Sequence, residues 1–471
     1  MERRQKIRYI VSDTLAAILA WLALFLFRKL TQESLQLADI NSVFTDRNFW
    51  LGLVFVPLGW LALYTIQGQY RNVLRRSRLK ELTDTAMASI IGVVVIFFSL
   101  LIDDNISTYR NYYSSFSFLL LVHFTLTYIL RLIITTGTVK KIQSRRIGFP
   151  TLMVGSKKRA HQTYLDLENQ ETYSGNLFVG FVDIDGQMSD SLKAIMPHLG
   201  NLNDIKTIIE TNNVQEVIVA IEDNEYYQLK EILLSLSYHD DLIIKVTPDA
   251  RDLIIGSAKV DAIFHSPLIV LNNRLMKEWQ YSVKRIADIV ISLLALIILS
   301  PVFLITAIII KLSSPGPVFY VQERIGYHGK PFKMHKFRSM YIDAERSGPT
   351  LSKDNDPRIT PFGRFMRKVR LDEIPQFYNV LKGTMSLVGP RPERQFFIDQ
   401  ILTRAPEYLL LQRVKPGITS WGQVKYGYAS NVDEMVERLK YDLLYLDNMS
   451  LQIDIKILLY TIIIVIQGRG K

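Results

Sequence analysis

The sequence predicts a membrane protein of mixed class, α plus α/β. It comprises a four-helix N-terminal transmembrane block, a parallel α/β middle domain and a mainly α C-terminal domain with a re-entrant membrane helix. Three observations predict this class. Apolar residues form 48% of the 471 residues, with a mean hydropathy of +0.13. They cluster in stretches near the ~20 residues that span a bilayer. After residue 147, short apolar runs alternate with polar, helix-like stretches, and a fifth long apolar segment has basic residues on both sides.

Charge and cysteine content exclude several kinds of site. Lys and Arg exceed Asp and Glu by 56 to 45, a net charge of +11, and cysteine is absent. The chain therefore has no disulfide, zinc–thiolate site, iron–sulfur cluster or cysteine nucleophile. A positive balance suits nucleic acid, anionic lipid or phosphorylated substrates. Because the basic residues flank membrane segments and an acidic pair, we expect membrane lipid and phosphate as partners and no nucleic acid.

The four spans of the first domain (residues 1–147) have a consistent charge pattern. Basic residues precede the first span, fill the second loop and follow the fourth span, whereas the first and third loops hold one Arg each. The positive-inside rule therefore predicts that both ends of the block face the cytoplasm. A buried helical core is the alternative. The spans are predicted at Tyr9–Phe27, Phe49–Ile66, Ala86–Ile102 and Ser115–Ile134.

The middle domain (residues 148–270) has the pattern of a Rossmann-like parallel sheet. Four short apolar runs read as buried strands, predicted at Thr151–Val154, Leu177–Val182, Val217–Ile221 and Leu242–Val246. Gly155 follows the first strand, where a phosphate-binding turn would lie. A dinucleotide fingerprint needs three glycines there, and this segment has one. Nucleotide binding and a ligand-free structural or regulatory module both stay open.

The fifth apolar segment, Ile289–Ile310, is predicted to enter and leave the membrane on one side. Basic residues lie on both flanks, which frustrates a simple crossing. Ser300 and Pro301 lie near the middle, and proline breaks or bends a helix. We therefore predict a re-entrant helix over residues 286–312, with Ser300 satisfying a freed backbone group. A kinked transmembrane helix is the alternative. The last apolar stretch, Ile453–Ile466, is too short to span comfortably and suits an interfacial or core helix.

The candidate chemistry lies in the C-terminal domain (residues 271–471). The spacing of apolar residues in Leu371–Lys382 predicts a helix with Asp372 as N-cap and Gly383 as its stop. The acidic pair Asp372-Glu373 then lies at a helix N-terminus, which favours anions. A carboxylate held there stays ionised and is able to act as a nucleophile.

Cations flank the acidic pair on both sides. Arg391 follows it between Pro390 and Pro392, which stiffen its loop, and four basic residues precede it: Arg364, Arg367, Lys368 and Arg370. Arginine matches phosphate oxygens bidentately. Mg²⁺ between a carboxylate and a diphosphate would complete the neutralisation. A simple helix cap is the alternative for the acidic pair, but this context favours a phosphate site.

Residues 281–471 resemble the bacterial sugar transferase family, the polyprenyl-phosphate phosphoglycosyl transferases. The ordered motifs that carry the resemblance include Ser300-Pro301, Lys336–Met340, Asp356–Thr360, Leu371–Gln376, Asn379–Gly383, Ser386–Pro392 and Lys415–Thr419 with Trp421. With four spans and a Rossmann-like domain, the whole chain resembles the long form that begins exopolysaccharide, capsule or O-antigen assembly.

The resemblance implies transfer of a sugar-1-phosphate from a UDP-sugar to undecaprenyl phosphate, releasing UMP, at the cytoplasmic face of the bacterial inner membrane. It implies Asp372 as the nucleophile of an aspartyl-phosphosugar intermediate, Glu373 as the Mg²⁺ ligand, and a homodimer. The substrate-binding residues it suggests are Arg367, Arg391, Pro390, Pro392, Lys336, Arg338 and Asp442. An arginine common in the family after Gln423-Val424 is missing, and Lys425 is the candidate replacement.

Three aromatic residues near this departure, Trp421, Tyr426 and Tyr428, suit stacking on uracil or a sugar as well as core packing. The donor sugar and the pathway stay open. Two other classes compete with the transferase. A membrane-anchored nucleotide-sugar dehydratase would need the full glycine fingerprint, and a chain-length regulator or scaffold would not need the acidic pair and its arginines.

Overall fold

The computed structural model describes residues 1–31, 44–101, 109–170, 172–186, 189–236, 242–248, 268–271, 275–344, 348, 350–351 and 356–467. The chain divides into two compact units. The first comprises Met1–Gly148 with Glu171–Gly175, and the second comprises Phe149–Gln170 with Asn176–Lys471.

The first unit is helical. The described residues of each predicted span lie within one long helix, and all four helices are long and apolar enough to cross a membrane. Ile102, the last residue of the third predicted span, lies outside the described residues. The helices are α1 (Glu2–Thr31), α2 (Arg47–Ile66), α3 (Arg78–Leu101) and α4 (Tyr109–Gln143).

A buried polar network joins these helices. Arg131 on α4 donates to both carboxylate oxygens of Asp13 on α1, at 2.8 and 2.7 Å, and neither side chain is exposed. Arg131 also donates to Gln69, and Tyr70 donates to Asp13 at 2.8 Å. Gln69 and Tyr70 belong to the α2–α3 connection, so one guanidinium fixes two helices and a loop. Polar contacts of this kind hold helices together where water is excluded.

The second unit begins with a six-stranded sheet of order β3-β2-β1-β4-β5-β6, parallel except for β6. All four predicted strands are present. Its elements are β1 (Phe149–Val154), α5 (Lys158–Glu168), β2 (Asn176–Asp183), α6 (Asp190–Lys193), β3 (His198–Asn201), α7 (Ile205–Thr211), β4 (Glu216–Val219), α8 (Leu229–Leu236), β5 (Ile243–Val246) and β6 (Ile269–Leu271). The sequence missed β3 and β6, because an edge strand is not buried on both faces and needs no long apolar run.

The turn after β1 is filled by side chains of the protein itself. Gly155 has φ +125°, and a Cβ there would collide with the carbonyl of Ala220. The N–H of Arg159 in the first turn of α5 donates to the Glu222 carboxylate at 2.8 Å. Lys157 lies between Asp185 and Glu225, 2.6 Å from each. The first turn of α5 therefore already faces a carboxylate.

The predicted break at Ser300-Pro301 is present. Helices α9 (Glu278–Ile298) and α10 (Ser300–Ser313) meet at an angle of 61°. Pro301 lies in the first turn of α10, and the Ser300 hydroxyl donates to the carbonyl of Ile297 at 2.7 Å, satisfying an acceptor that the break frees. Both helices expose apolar side chains, among them Ile291, Leu294, Ile298, Leu304, Ile305 and Ile308.

The remaining elements surround one apolar core that includes Val380, Leu387, Ile398, Leu439 and Ile457. They are β7 (Phe319–Ile325), β8 (Pro331–Phe337), α11 (Pro361–Lys368), α12 (Gln376–Lys382), β9 (Ser386–Val388), α13 (Gln395–Leu402), β10 (Gly417–Thr419), α14 (Trp421–Lys425), α15 (Val432–Asp447) and α16 (Leu451–Ile466). The terminal helix α16 buries Ile457 in this core while Ile455, Leu459 and Ile462 are exposed.

Replacing Arg131 by Met should destabilise the helical unit by about 3–5 kcal/mol, because it leaves the Asp13 carboxylate buried without the arginine that neutralises its charge. The double variant Asp13→Leu/Arg131→Met should lose less, since neither charge remains. Thermal melting in detergent measures the difference. Arg8→Met, at an exposed position of α1, is the control. A double variant as unstable as the single one would contradict this account of the pair.

Candidate active site

The acidic pair lies in a tight turn and not at a helix N-terminus. Leu371–Glu373 form a 3₁₀ turn, and helix α12 begins at Gln376 with Pro375 as its N-cap. The prediction of Asp372 as N-cap is therefore wrong. Proline has no N–H to continue the helical ladder, so the residues before it close with i→i+3 bonds, such as the Ile374 N–H to the Leu371 carbonyl at 3.2 Å.

Three cations converge on Glu373. Lys336 Nζ and Arg370 Nη1 lie 3.1 Å from its two carboxylate oxygens, and Arg391 Nη1 lies 3.5 Å from Oε1. Lys336 comes from β8, Arg370 directly precedes the turn, and Arg391 lies in the loop after β9. Burial alone would raise the pKa of Glu373, but these three cations hold it well below its ordinary value. Glu373 is therefore ionised and anchored.

Asp372 is the less constrained member of the pair. Among the described residues, no hydrogen bond or ion pair ends on its carboxylate, although only 8% of the residue is exposed. Burial and the negative charge of Glu373 raise the pKa of Asp372, against the opposing effect of Lys336, Arg367 and Arg370. The expected stabilisation of its ionised form by a helix N-terminus is thus absent. Positive charge, from these residues or from a ligand, is what favours the carboxylate form.

Arg370 reaches Glu373 from an unusual backbone conformation. Its φ of 57° and ψ of 24° are left-handed, a region that residues other than glycine rarely adopt. Its Nε is buried and has no hydrogen-bond partner within the part of the chain that the structure describes. The sequence placed Arg370 among the flanking cations but not among the binding residues.

Arg367 is oriented by Ser339. Its Nε donates to the Ser339 hydroxyl at 2.9 Å. The Ser339 carbonyl accepts the N–H of Thr360, and the Thr360 hydroxyl caps helix α11 by accepting the N–H of Gly363 at 2.9 Å. A Cβ at Gly363 would collide with the Ser339 carbonyl, so glycine allows this close approach. Ser339 is a positioning residue that the sequence did not identify.

The loop that carries Arg391 is held at both sides. The carbonyl of Pro390 accepts the N–H of Gly417 at 2.9 Å, next to the parallel β9–β10 pair. The carbonyl of Pro392 accepts from Arg324 at 3.1 Å. Glu393 follows, buried between Arg324 and Arg438 at 2.9 and 2.7 Å. Pro390 and Pro392 thus support Arg391 through their backbone, and Glu393 fixes the end of the loop.

Comparison with known proteins matches this region to one family. A family model described as bacterial sugar transferase matches residues 279–468, and one described as CoA-binding domain matches residues 65–242. The undecaprenyl-phosphate galactose phosphotransferase of Salmonella typhimurium is 33% identical over 337 residues, which are 68% of each chain. The chain belongs to the bacterial sugar transferase family.

Two further relatives match a shorter stretch of this chain. The UDP-N-acetylgalactosamine-undecaprenyl-phosphate N-acetylgalactosaminephosphotransferase of Aeromonas hydrophila is 40% identical over 46% of this chain and 51% of its own. The UDP-glucose:undecaprenyl-phosphate glucose-1-phosphate transferase of Escherichia coli is 35% identical over 56% and 57%. The chain therefore spans little more than half the length of these two relatives.

Three predicted binding residues of the sugar transferase lie outside the cluster around Glu373. Arg338 donates to the carbonyls of Ser314 and Pro315, both at 2.8 Å, just after α10. The ammonium of Lys425 lies over the rings of Trp421 and Tyr460, at 5.2 and 5.3 Å from their centroids.

The third, Asp442 on α15, is almost fully buried. It accepts the N–H of Gly422 at 2.9 Å and so holds the start of α14. Burial raises the pKa of Asp442 to about 6, against opposing contributions from Arg438 and the Gly422 N–H. The folded protein therefore binds this proton more tightly than the unfolded chain does.

Asp442 should make the stability of the transferase pH-dependent. Because its folded pKa is raised from 3.8 to about 6, its contribution to stability is present below about pH 4 and is lost as the pH rises through about 6. Asp442→Asn should flatten this part of the profile of melting temperature against pH. The exposed Asp433→Asn is the matched control. Equal profiles for the wild type and Asp442→Asn would contradict the assignment.

Proposed function

We propose that this protein transfers a sugar-1-phosphate from a UDP-sugar to undecaprenyl phosphate and releases UMP. The proposal rests on one observation above all. Among the residues that the structure describes, no hydrogen bond ends on the Asp372 carboxylate, and it lies beside a Glu373 carboxylate on which three cations converge. The names of the three relatives, each an undecaprenyl-phosphate sugar phosphotransferase or sugar-1-phosphate transferase, support the same reaction. We propose that this transfer is the first membrane step of exopolysaccharide, capsule or O-antigen synthesis.

The proposed reaction has two displacements at phosphorus. In the first, an Asp372 oxygen attacks the phosphorus that bears the sugar, and the bond to the bridging oxygen breaks, so that UMP leaves with the electron pair. In the second, an oxygen of undecaprenyl phosphate attacks the aspartyl phosphate. The Asp372 carboxylate leaves, and the lipid carries the sugar on a diphosphate. Both attacking groups and both leaving groups are anionic oxygens, so neither step requires a general base.

The charge of the site supports a diphosphate ligand. Lys336, Arg367, Arg370 and Arg391 lie around two carboxylates, which leaves positive charge in excess. Arginine and lysine in a buried site stabilise the charge that develops on transferring phosphoryl groups. They also oppose the repulsion that an isolated carboxylate nucleophile would exert on phosphate.

Mg²⁺ belongs to the proposal as a partner of the diphosphate. The described residues contain no group of three or more His, Cys, Asp or Glu able to hold a metal ion. This fits Mg²⁺, which commonly takes one or two carboxylates from the protein and its other ligands from substrate phosphates and water. Glu373 is the proposed protein ligand. When bound, the ion would neutralise phosphate charge.

The proposed membrane arrangement places the site at the cytoplasmic surface of the bacterial inner membrane. Basic residues flank the cytoplasmic ends of the four spans. The 61° bend between α9 and α10, with apolar side chains exposed on both, supports a re-entrant helix pair. A polyprenyl phosphate anchored in the inner leaflet would then meet Asp372 at headgroup level. The homodimer rests on family resemblance alone.

The sheet domain is proposed as a Rossmann-like structural or regulatory module. The parallel order of β3, β2, β1, β4 and β5 supports such a fold. The Glu222 carboxylate at the first turn of α5 occupies the position where a nucleotide phosphate would bind. This favours the ligand-free alternative.

A panel of UDP-hexoses with Mg²⁺ and undecaprenyl phosphate tests the reaction. We expect UMP release with at least one donor, and none when Mg²⁺ is omitted. A donor labelled in the phosphate next to the sugar should label the protein, and Asp372→Asn should abolish both labelling and release. Asp433→Asn, an exposed aspartate, is the matched control. No release across the panel would contradict the function, and full labelling of Asp372→Asn would remove Asp372 as nucleophile.

Single cysteines test the re-entrant arrangement without further engineering, because the chain has no cysteine. Lys330→Cys, exposed after β7, should react with a membrane-impermeant maleimide only after the cells are opened. Arg47→Cys, at the start of α2, should react in intact cells, and Lys141→Cys should behave like Lys330→Cys. Labelling of Lys330→Cys in intact cells would show that α9 and α10 cross the membrane.

A further inference from the structure

Tyr428 contacts the same guanidinium as Glu373. Arg391 Nη1 faces Glu373 at 3.5 Å, whereas Arg391 Nη2 donates to the Tyr428 hydroxyl at 3.2 Å. The Tyr428 ring also packs against Arg391, with 5.3 Å between the ring centroid and Cζ. Arg391 is therefore held from two sides, by a carboxylate and by a phenol.

The loop that carries Tyr428 is fixed at both ends. At its start, the N–H of Gly427 donates to the carbonyl of Gly422 at 3.2 Å, and Gly427 adopts φ +96°. At its end, the Asn431 side chain caps α15 by accepting the N–H of Glu434 at 2.9 Å. The turn at Gly427 separates two neighbouring tyrosines: Tyr426 approaches Tyr441, and Tyr428 lies on Arg391.

The two contacts of Arg391 differ in how they affect a phosphate ligand. The Glu373 carboxylate neutralises the guanidinium and competes with phosphate for its N–H groups. A neutral phenol accepts one hydrogen bond and leaves the positive charge in place, and its ring face attracts the cation. An arriving diphosphate can therefore replace Glu373 at Arg391 while Tyr428 keeps the guanidinium in position.

We propose that Tyr428 is a positioning residue of the transfer site, which holds the Arg391 guanidinium toward the diphosphate when Glu373 releases it. This inference rests on the proposed function. The segment with Tyr428 is the one in which the arginine common in the family is missing, and Lys425 lies away on Trp421 and Tyr460. Within this segment, Tyr428 contacts Arg391, whereas Lys425 contacts Trp421 and Tyr460.

The electrostatics of Tyr428 agree with this contact. Arg391 lowers the pKa of Tyr428, which burial would raise, and Lys336 and Arg367 act in the same direction as Arg391. The phenol oxygen thus lies in the positive field of Arg391, Lys336 and Arg367.

Paired variants test the inference in the full-length protein. Tyr428→Phe keeps the ring and removes the hydroxyl, whereas Tyr428→Leu removes both. We expect kcat/KM for the UDP-sugar to fall about fivefold in the first and tenfold or more in the second, as suits one hydrogen bond and one cation–π contact. In an Arg391→Lys background, Tyr428→Phe should change kcat/KM less than about twofold, because the interaction runs through the guanidinium. Tyr441→Phe is the matched control on α15, and melting temperatures should stay at the wild-type value.

The outcomes separate this inference from the proposed function. Wild-type kinetics in Tyr428→Phe and Tyr428→Leu, or equal losses in both Arg391 backgrounds, would overturn the role of Tyr428 while the transfer reaction stands. If the wild type transfers no sugar, the proposed function fails, and the affinity of the same variants for UDP decides the role of Tyr428. A loss of UDP affinity that disappears in Arg391→Lys supports it, and unchanged affinity or no UDP binding overturns it.

Discussion

The candidate active site depends on the ion pairs of the Glu373 carboxylate with Lys336, Arg370 and Arg391. Each cation comes from a different segment, so one buried anion fixes their relative positions. The same contacts leave Asp372 without a partner among the described residues. With Arg367 counted, four cations surround two acidic side chains, which leaves an excess of positive charge for a ligand. A buried excess of this size is costly unless an anion offsets it.

A second layer of interactions keeps the cations in place. Ser339 orients Arg367, and Glu393 anchors the end of the Arg391 loop between Arg324 and Arg438. Burial raises the pKa of Glu393, but these two arginines lower it below its usual value. Supporting contacts of this kind hold functional side chains within a fraction of an ångström. Several buried ion pairs thus fix the positions of the few side-chain atoms that form the site.

The sequence predicted the parts of this site that lie close together along the chain. The acidic pair Asp372-Glu373 and Arg367 lie in one short segment, and Arg391 is recognisable because it lies between two prolines. Four apolar helices, four buried strands and the Ser300-Pro301 break were also predictable, because burial and proline leave local patterns. The contact of Arg391 with Tyr428 joins residues 37 positions apart, so no local pattern encodes it. The predicted start of helix α12 was wrong for a local reason. Pro375 interrupts the helical hydrogen-bond ladder that the apolar spacing implied. Arg338 has the right charge, but nearby carbonyls bind it.

At position 370, the left-handed backbone and the charge of the site favour different residues. A side chain other than glycine in this conformation costs about 1 kcal/mol, and asparagine or glycine would relieve that strain. Neither would bring a guanidinium to Glu373. Backbone strain alone therefore disfavours Arg370, whereas its ion pair with Glu373 and the charge of the site favour it. A substitution that relaxes the backbone at this position thus also removes one cation from the site.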